Sequence, residues 1–560
     1  METLAEAANK PVWKLDWLTP WRCRALLLAL MLFGFLSHLS YLRHDCPIDL
    51  SGDEAHYWDW SRQLDLNYYS KGPAVAYIIR ASCAVFGDQM WAVRLPALIF
   101  AAATTILTYW LTKKLFASER LALGAVLLYH LVPVFIAGSI LMTIDPPFFF
   151  CWAMVTCLFA KAVGLTERGG DGETRRQGED LISLSPCLPL SMSILIWLLI
   201  GIFLGLGILA KWGMLLWPVS MLIFLLMDRD SRKLLRSPWP YLSVAISLLF
   251  LIPAIIWNQQ HNWVTLHHVA QQTGAEHGQF SAIELPELLL SQIAILGPSM
   301  ALFIIAAIVV AGRSANRAAK FLVWIGSTFF IIVSLATLHG KVQANWPAPA
   351  YFTLMILAAW FIGTRLQTKS LWKPWRFWLY GGVIFGLILA PIAHDMTVAY
   401  PLMRKIGIHN PRQFDPTARL HGWQELGQHV DQQLKTIRPG AFIVCDNYQV
   451  TGETAFYAPG QPKTYYIGSY WYDPKDRERL CQYDLWPDRS LDPATTTLLG
   501  KDAIFIGWSP QGGDLKRTFD RVERLPNLDI ARGGVIIKTF RLWRCINFKG
   551  IARPTDKGSF

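Results

Sequence analysis

Eleven stretches of this chain are apolar over the roughly 17–25 residues that a bilayer crossing needs. They fall at 25–42, 91–112, 121–140, 146–163, 194–210, 212–227, 239–257, 288–311, 321–338, 348–363 and 377–393. In lipid a backbone must satisfy its own hydrogen bonds, so each stretch is expected to be a helix. Composition agrees. Of the 560 residues 53% are hydrophobic and only 16% charged, whereas a soluble domain carries about 25% charge. Mean hydropathy is +0.30. A soluble enzyme, a disordered chain and a fibre are excluded. The stretches 194–210 and 212–227 are parted by Lys211-Trp212-Gly213, which reads as a turn. The first stretch follows Lys10, Lys14, Arg22 and Arg24, with no small-residue cleavage site after it, so it reads as an anchor.

The net charge of +12 would ordinarily suggest nucleic acid. Here the surplus lies in alternate loops. Lys113, Lys114 and Arg120 occupy 113–120; Arg168, Arg175 and Arg176 occupy 164–190. The loops 228–238, 312–320 and 364–376 are equally basic, whereas 258–287 contains no Lys or Arg. Cations in short loops mark the cytoplasmic side. The expectation is a multi-pass protein of the inner (plasma) membrane, N-terminus cytoplasmic and C-terminal segment outside, with no nucleic-acid partner.

Segment 395–560 is polar and rich in turn signals. Trp423, Leu426, Val430, Leu434 and Ile437 keep helical spacing, and 441–446, 503–508 and 535–540 read as strands. The fold class is therefore mainly α and polytopic over 1–394, with an extracytoplasmic α/β domain over 395–560. The nine cysteines form no CxxC pair and no zinc spacing.

Chemistry concentrates in the first outer loop, 43–90. It runs Ser51-Gly52-Asp53-Glu54-Ala55-His56-Tyr57-Trp58-Asp59-Trp60, then Tyr68-Tyr69-Ser70-Lys71-Gly72-Pro73. Aromatic residues interleaved with charges suit short helices in the interface plane. Asp53 and Glu54 read either as N-terminal helix carboxylates or as a general base that deprotonates an acceptor. Asp145, in Thr143-Ile144-Asp145-Pro146-Pro147, reads as a helix start with proline in its first turn or as a second acid on the same side as Asp53. Lys71, Lys211 and Lys341 are either lysines reaching the interface or cations converging on a phosphate. Arg94, just inside the second stretch, needs an acidic partner or a lipid phosphate. Loop 258–287 offers His261 and Asn262 to sugar hydroxyls, as Tyr57 and Tyr69 do from the first loop. His267 and His268 have metal-ligand chemistry, but an ordinary polar loop is the reading preferred for them.

Together, Asp53-Glu54, the Tyr-Trp-x-Trp-Ser-Arg that follows, Tyr68-Tyr69-Ser70-Lys71-Gly72-Pro73 and Val93-Arg94-Leu95-Pro96 resemble the GT-C glycosyltransferases of family 39. These are the dolichyl-phosphate-mannose–protein mannosyltransferases and bacterial relatives, among them the aminoarabinose transferases that modify lipid A. The likeness covers about 1–395 and is densest over 40–150. It implies an inverting transfer of a sugar from polyprenyl phosphate to an extracytoplasmic lipid, glycan or protein. It places the family's first-loop acid on Asp53, its second acid on Asp145 and its phosphate-binding lysine on Lys71. The aminoarabinose transferases often carry Glu before this lysine; here it is Ser70, which puts their sugar, and a metal on that glutamate, in doubt. No cofactor is expected, and a divalent metal stays open. A transporter or flippase of lipid-linked sugars is the alternative. It should carry its charges near mid-membrane on paired broken helices, whereas these acids sit at the ends of the apolar stretches.

Overall fold

The computed structural model describes residues 17–166, 190–272, 282–340, 342–367, 369–507 and 514–554. Among them, six helices are long and apolar enough to cross a membrane: Pro20–His44, Met90–Phe116, Ser191–Ala210, Trp239–Gln260, Arg317–Ala336 and Trp375–Ile392. A seventh passes the same test of length and composition if Glu284–Leu296 and Pro298–Arg313 count as one, and they are bent by 108° at the Gly297-Pro298 junction. Trp212–Met227 and Ala350–Arg365 are apolar but shorter. The expected stretch 121–140 is two helices, Glu119–His130 and Pro133–Gly138, and 146–163 becomes Asp145–Ala162. Pro133 accounts for the break in 121–140: proline donates no backbone hydrogen bond and disfavours helix in the residue before it. In the first and last of the six, only 6% of the apolar window is buried by protein. Side chains such as Phe33, Phe377 and Leu387 therefore face outward, as lipid-facing side chains would. The chain is a multi-pass membrane protein.

The interior is built on rings. Phe159 meets Trp217 and Phe224 edge-on at 5.5 and 5.7 Å, and Phe224 meets Phe321 at 5.0 Å. Beyond His394, where the last long helix ends, the chain forms a sheet domain. Its strands are β1 (Phe442–Cys445), β2 (Thr464–Tyr466), β3 (Ala503–Gly507), β4 (Phe519–Arg524), β5 (Leu528–Arg532) and β6 (Val535–Phe548), ordered β2-β1-β3-β6-β4, with β5 also on β6. β1 pairs in parallel with β2 and β3, whereas β6 is antiparallel to β3. β6 is 14 residues long, well beyond the strand expected at 535–540. The expected helix is present as Trp423–Leu434.

This domain is seated on the first loop through helix Tyr448–Tyr457, which packs on helix Gly52–Ser61. Glycine makes the approach close: a Cβ on Gly52 would lie 2.4 Å from Gln449 Cβ, and one on Gly452 2.9 Å from the His56 backbone nitrogen. Arg489 and Asp59 form a buried ion pair of 2.9 Å across the same seam. The Trp423 amide donates to Asp49 at 2.8 Å, and Tyr69 donates its amide to Gln482 at 2.7 Å.

Candidate active site

The helix Gly52–Ser61 begins with a capping box. The Glu54 amide donates to Ser51 Oγ at 3.3 Å, and Glu54 Oε2 accepts from the Ser51 amide at 2.9 Å. That reciprocal bond turns Glu54 inward. It receives Arg94 on both oxygens at 3.1 Å, plus the Met142 amide at 2.8 Å, and both side chains of the ion pair are fully buried. Arg94 also donates to the carbonyls of Ile48 and Asp49, fastening the loop to the second span. Successive residues of a helix point about 100° apart, so Asp53 faces elsewhere. It lies on the wall of a cavity of about 880 Å³ between the helices and the sheet domain. Its Oδ1 accepts from Tyr448 OH at 3.3 Å and from Gln449 Nε2 at 3.5 Å.

Lys71 enters the cavity from the opposite end of the first loop. A Cβ on Gly72 would lie 2.2 Å from the Leu209 carbonyl oxygen, so only glycine lets this loop lie against the end of helix Leu190–Ala210. That helix stops at Ala210, and Lys211 is extended, with φ −152° and ψ 128°. Lys211 is thereby freed to meet Asp145, at the head of helix Asp145–Ala162, with Nζ 2.7 Å from Oδ1. Asn345 donates to the other oxygen of Asp145 at 2.9 Å. The sheet domain closes the cavity with Tyr448, Gln449 and Arg479. The Arg479 guanidinium lies 5.3 Å from the Tyr448 ring centre and donates to its hydroxyl at 3.4 Å.

Burial pulls the Lys71 ammonium down to about 8, helped by the nearby charges of Lys211 and Arg479 and opposed by Asp53 and Asp145. His56 and His268, also on the wall, fall to about 3, chiefly through burial and then through neighbouring cations, so both rings are neutral. Among the described residues the cavity therefore holds a carboxylate, an ion pair and cations with no ion-pair partner. It is suited to an anionic leaving group beside a hydroxyl that must lose its proton.

Over 93% of this chain and 97% of the other, the structure superposes on ArnT from Cupriavidus metallidurans in the apo state, with a TM-score of 0.58 at 14% identity. The fold is GT-C, of the aminoarabinose transferase type. The same enzyme bound to undecaprenyl phosphate gives a TM-score of 0.57 with equal coverage. The GT-C resemblance in the sequence is thus borne out. The profile of the dolichyl-phosphate-mannose-protein mannosyltransferase family matches residues 70–169 and 191–257. Lipid A galacturonosyltransferase RgtD of Rhizobium johnstonii is 28% identical over 341 residues, 60% of this chain and 65% of that protein. An undecaprenyl phosphate-alpha-4-amino-4-deoxy-L-arabinose arabinosyl transferase of Pseudomonas aeruginosa (strain LESB58) is 29% identical over 245 residues, 41% of this chain and 39% of that protein. These matches span less than two thirds of either relative.

Within this GT-C framework the expected residues divide. Asp53, Asp145, Lys71, Lys211, Tyr57 and Tyr69 all line the one cavity. Glu54 does not: it points away from the wall, and its oxygens accept from Arg94 and from the Ser51 and Met142 amides. His261 and Asn262 are also off the wall. His261 stacks on Trp257 at 4.0 Å, and Asn262 is exposed in a left-handed turn with φ 54°. The loop's contribution is His268, which packs on Tyr69 at 4.9 Å, together with Gln272. Lys341 lies outside the described residues. Sequence reasoning missed Tyr448, Gln449 and Arg479. The first two sit just past the end of β1, where ligands gather on α/β sheets. Among the described residues no group of three or more His, Cys, Asp or Glu is placed to hold a metal ion.

Proposed function

We propose that this chain is an inverting glycosyltransferase that moves a sugar from polyprenyl phosphate to a lipid acceptor on the outer face of the inner membrane. In this reading all eleven apolar stretches cross, the N-terminus is cytoplasmic and the sheet domain is outside. The observation that carries the proposal is the single cavity in which Asp53, Lys71 and the Asp145–Lys211 pair meet, at the boundary between apolar helices and a polar domain. A relative named for galacturonosyl transfer to lipid A and relatives named for transfer from undecaprenyl phosphate support the substrate classes.

The chemistry follows from the residues. The donor enters sideways from the bilayer and its phosphate meets Lys71. Asp53 takes the proton of the acceptor hydroxyl as that oxygen attacks the anomeric carbon. The anomeric C–O bond to phosphate breaks, and polyprenyl phosphate leaves as an anion facing Lys71. Cations fixed where charge gathers lower the barrier because they need no reorganisation. Holding both substrates at one interface supplies proximity. Asp145 fixes Lys211 and orients the acceptor side. The step requires no redox or acyl carrier, and we propose that it needs no cofactor. Treatment with EDTA leaves the rate unchanged in this reading, and a loss restored by divalent cation would place a metal in the site.

The test is transfer of radiolabelled sugar from undecaprenyl phosphate to lipid A by the purified protein in liposomes. Translocation of the donor with no product would instead favour a flippase.

A further inference from the structure

The cavity holds more positive charge than a donor phosphate neutralises. Among the described residues its walls carry Lys71, Lys211, Arg419, Arg479 and Lys538, against Asp53 and Asp145. Two of these cations are committed. Lys211 is paired with Asp145 at 2.7 Å. Lys538 donates to the carbonyls of Arg419 and His421, at 2.9 Å each, and lies 4.0 Å from the Trp423 ring centre. Lys71, Arg419 and Arg479 remain, and among the described lining residues only Asp53 is left as an acid to set against them. A sugar phosphodiester brings one negative charge, so one cation is left over. Arg419 and Arg479 are exposed, so water carries their charge in the empty site, and an arriving anion can take its place.

Arg479 is the better placed of the two guanidiniums. Its Nη2 lies 3.4 Å from Tyr448 OH, and that hydroxyl lies 3.3 Å from Asp53 Oδ1. Its ring contact with Tyr448 holds the planar fork beside the base. Among the described residues it pairs with no carboxylate. A guanidinium presents parallel N–H groups that match a carboxylate or phosphate with two bonds.

Resting on the transfer reading above, we propose that Arg479, from the sheet domain, selects substrates that carry a second anionic group next to the reacting hydroxyl or anomeric centre. The group is either the carboxylate of an acidic sugar on the donor or a phosphate on the acceptor. Both present two oxygens to the same fork, and both keep the extra charge within reach of Asp53.

The experiment compares four substrates with wild-type protein in liposomes. The donors are undecaprenyl phosphate bearing a hexuronic acid and the same lipid bearing the matching neutral hexose. The acceptors are a bisphosphorylated lipid A disaccharide and its dephosphorylated form. kcat and KM are measured for each pair, then repeated for Arg479→Gln and Arg479→Lys, with thermal unfolding in detergent as a check on folding. The expected result is a wild-type preference for the anionic member on one side, lost by at least about tenfold in Arg479→Gln and partly kept in Arg479→Lys, since hydrogen bonds to charged groups are worth that much or more. The loss should fall on KM for the partner that bears the anion. A donor-side preference assigns the carboxylate, and an acceptor-side preference assigns the phosphate. Wild-type transfer without preference on either side, or a preference that survives Arg479→Gln, overturns the inference while leaving the transfer reading intact. No transfer from either donor overturns both.

Discussion

Asp53 and Glu54 are neighbours in sequence and opposites in surroundings. Glu54 has four donors on two oxygens and no contact with solvent. Asp53 has two long hydrogen bonds from one side and an open cavity on the other. A carboxylate satisfied by fixed donors is spent on the fold. One with a free lone pair facing a cavity can accept a proton. The pair shows that chemistry in this loop is decided by helix rotation rather than by residue type.

The largest effect expected is on turnover. Asp53→Asn keeps the size and both hydrogen bonds but removes the base, so transfer should fall by a factor on the order of 10²–10⁴ with the unfolding temperature unchanged. Full transfer by this variant would remove Asp53 from the mechanism. Glu54→Ala should give the reverse pattern. It leaves Arg94 charged and buried with backbone carbonyls but no carboxylate, a loss of about 3–5 kcal/mol in stability. Replacing Arg94 with Met in the same chain should recover much of that loss. A Glu54→Ala protein that is stable yet inactive would reverse the two roles.

How much of this was legible in the sequence differs by level. The apolar stretches, the strands at 442–445 and 503–507 and the helix at 423–434 follow from local pattern, because burial imposes its period on nearby residues. Asp53, Lys71 and Asp145 could be named because they are charges in the first outer loop or at the end of an apolar stretch, where a charge needs a reason to be. Rotation about the helix could not be read, so Glu54 was grouped with Asp53 although its capping box was visible. Arg479 lies 426 positions after Asp53 in the numbering and belongs to no motif, and only the docking of Gly452 on the first-loop helix brings them together. His261 and Asn262 have the chemistry of sugar contacts but not the position. The stacking of His261 on Trp257 turns that end of the loop away.

The comparison sharpens at Gly72. Its hydrogen atoms lie against the Leu209 carbonyl, so Gly72→Ala must move the loop that presents Lys71. A shift of about 1 Å near the chemistry costs roughly 10²-fold in rate, with Asp53 left in place. Equal activity would mean that the position of Lys71 is not critical. A smaller and graded effect should come from pH. With the empty-site Lys71 at about 8, phosphate binding takes up a proton above that pH. Affinity for undecaprenyl phosphate should then be full below pH 8 and fall as pH rises through it, by up to about tenfold per unit. The same shift acts on folding in the opposite sense. Between about 8 and the ordinary lysine value the unfolded chain binds more protons, so the empty protein gains stability as pH rises. Lys71→Arg, charged throughout, should flatten the binding curve. An unchanged curve would assign the titration to another group.

The smallest effect isolates what the sheet domain contributes to Asp53. Tyr448→Phe removes one neutral donor at 3.3 Å from Oδ1 and leaves Gln449 in place at 3.5 Å. A bond that long, between a phenol and a carboxylate, should be worth no more than about 1 kcal/mol, so turnover should fall only about fivefold or less. Where the loss falls is more telling than its size. It should appear in kcat, with KM for the donor unchanged because Lys71 is not touched. A variant that instead raised KM and left kcat in place would show that Tyr448 serves the substrate directly. Asp53 would then owe its readiness to the cavity alone.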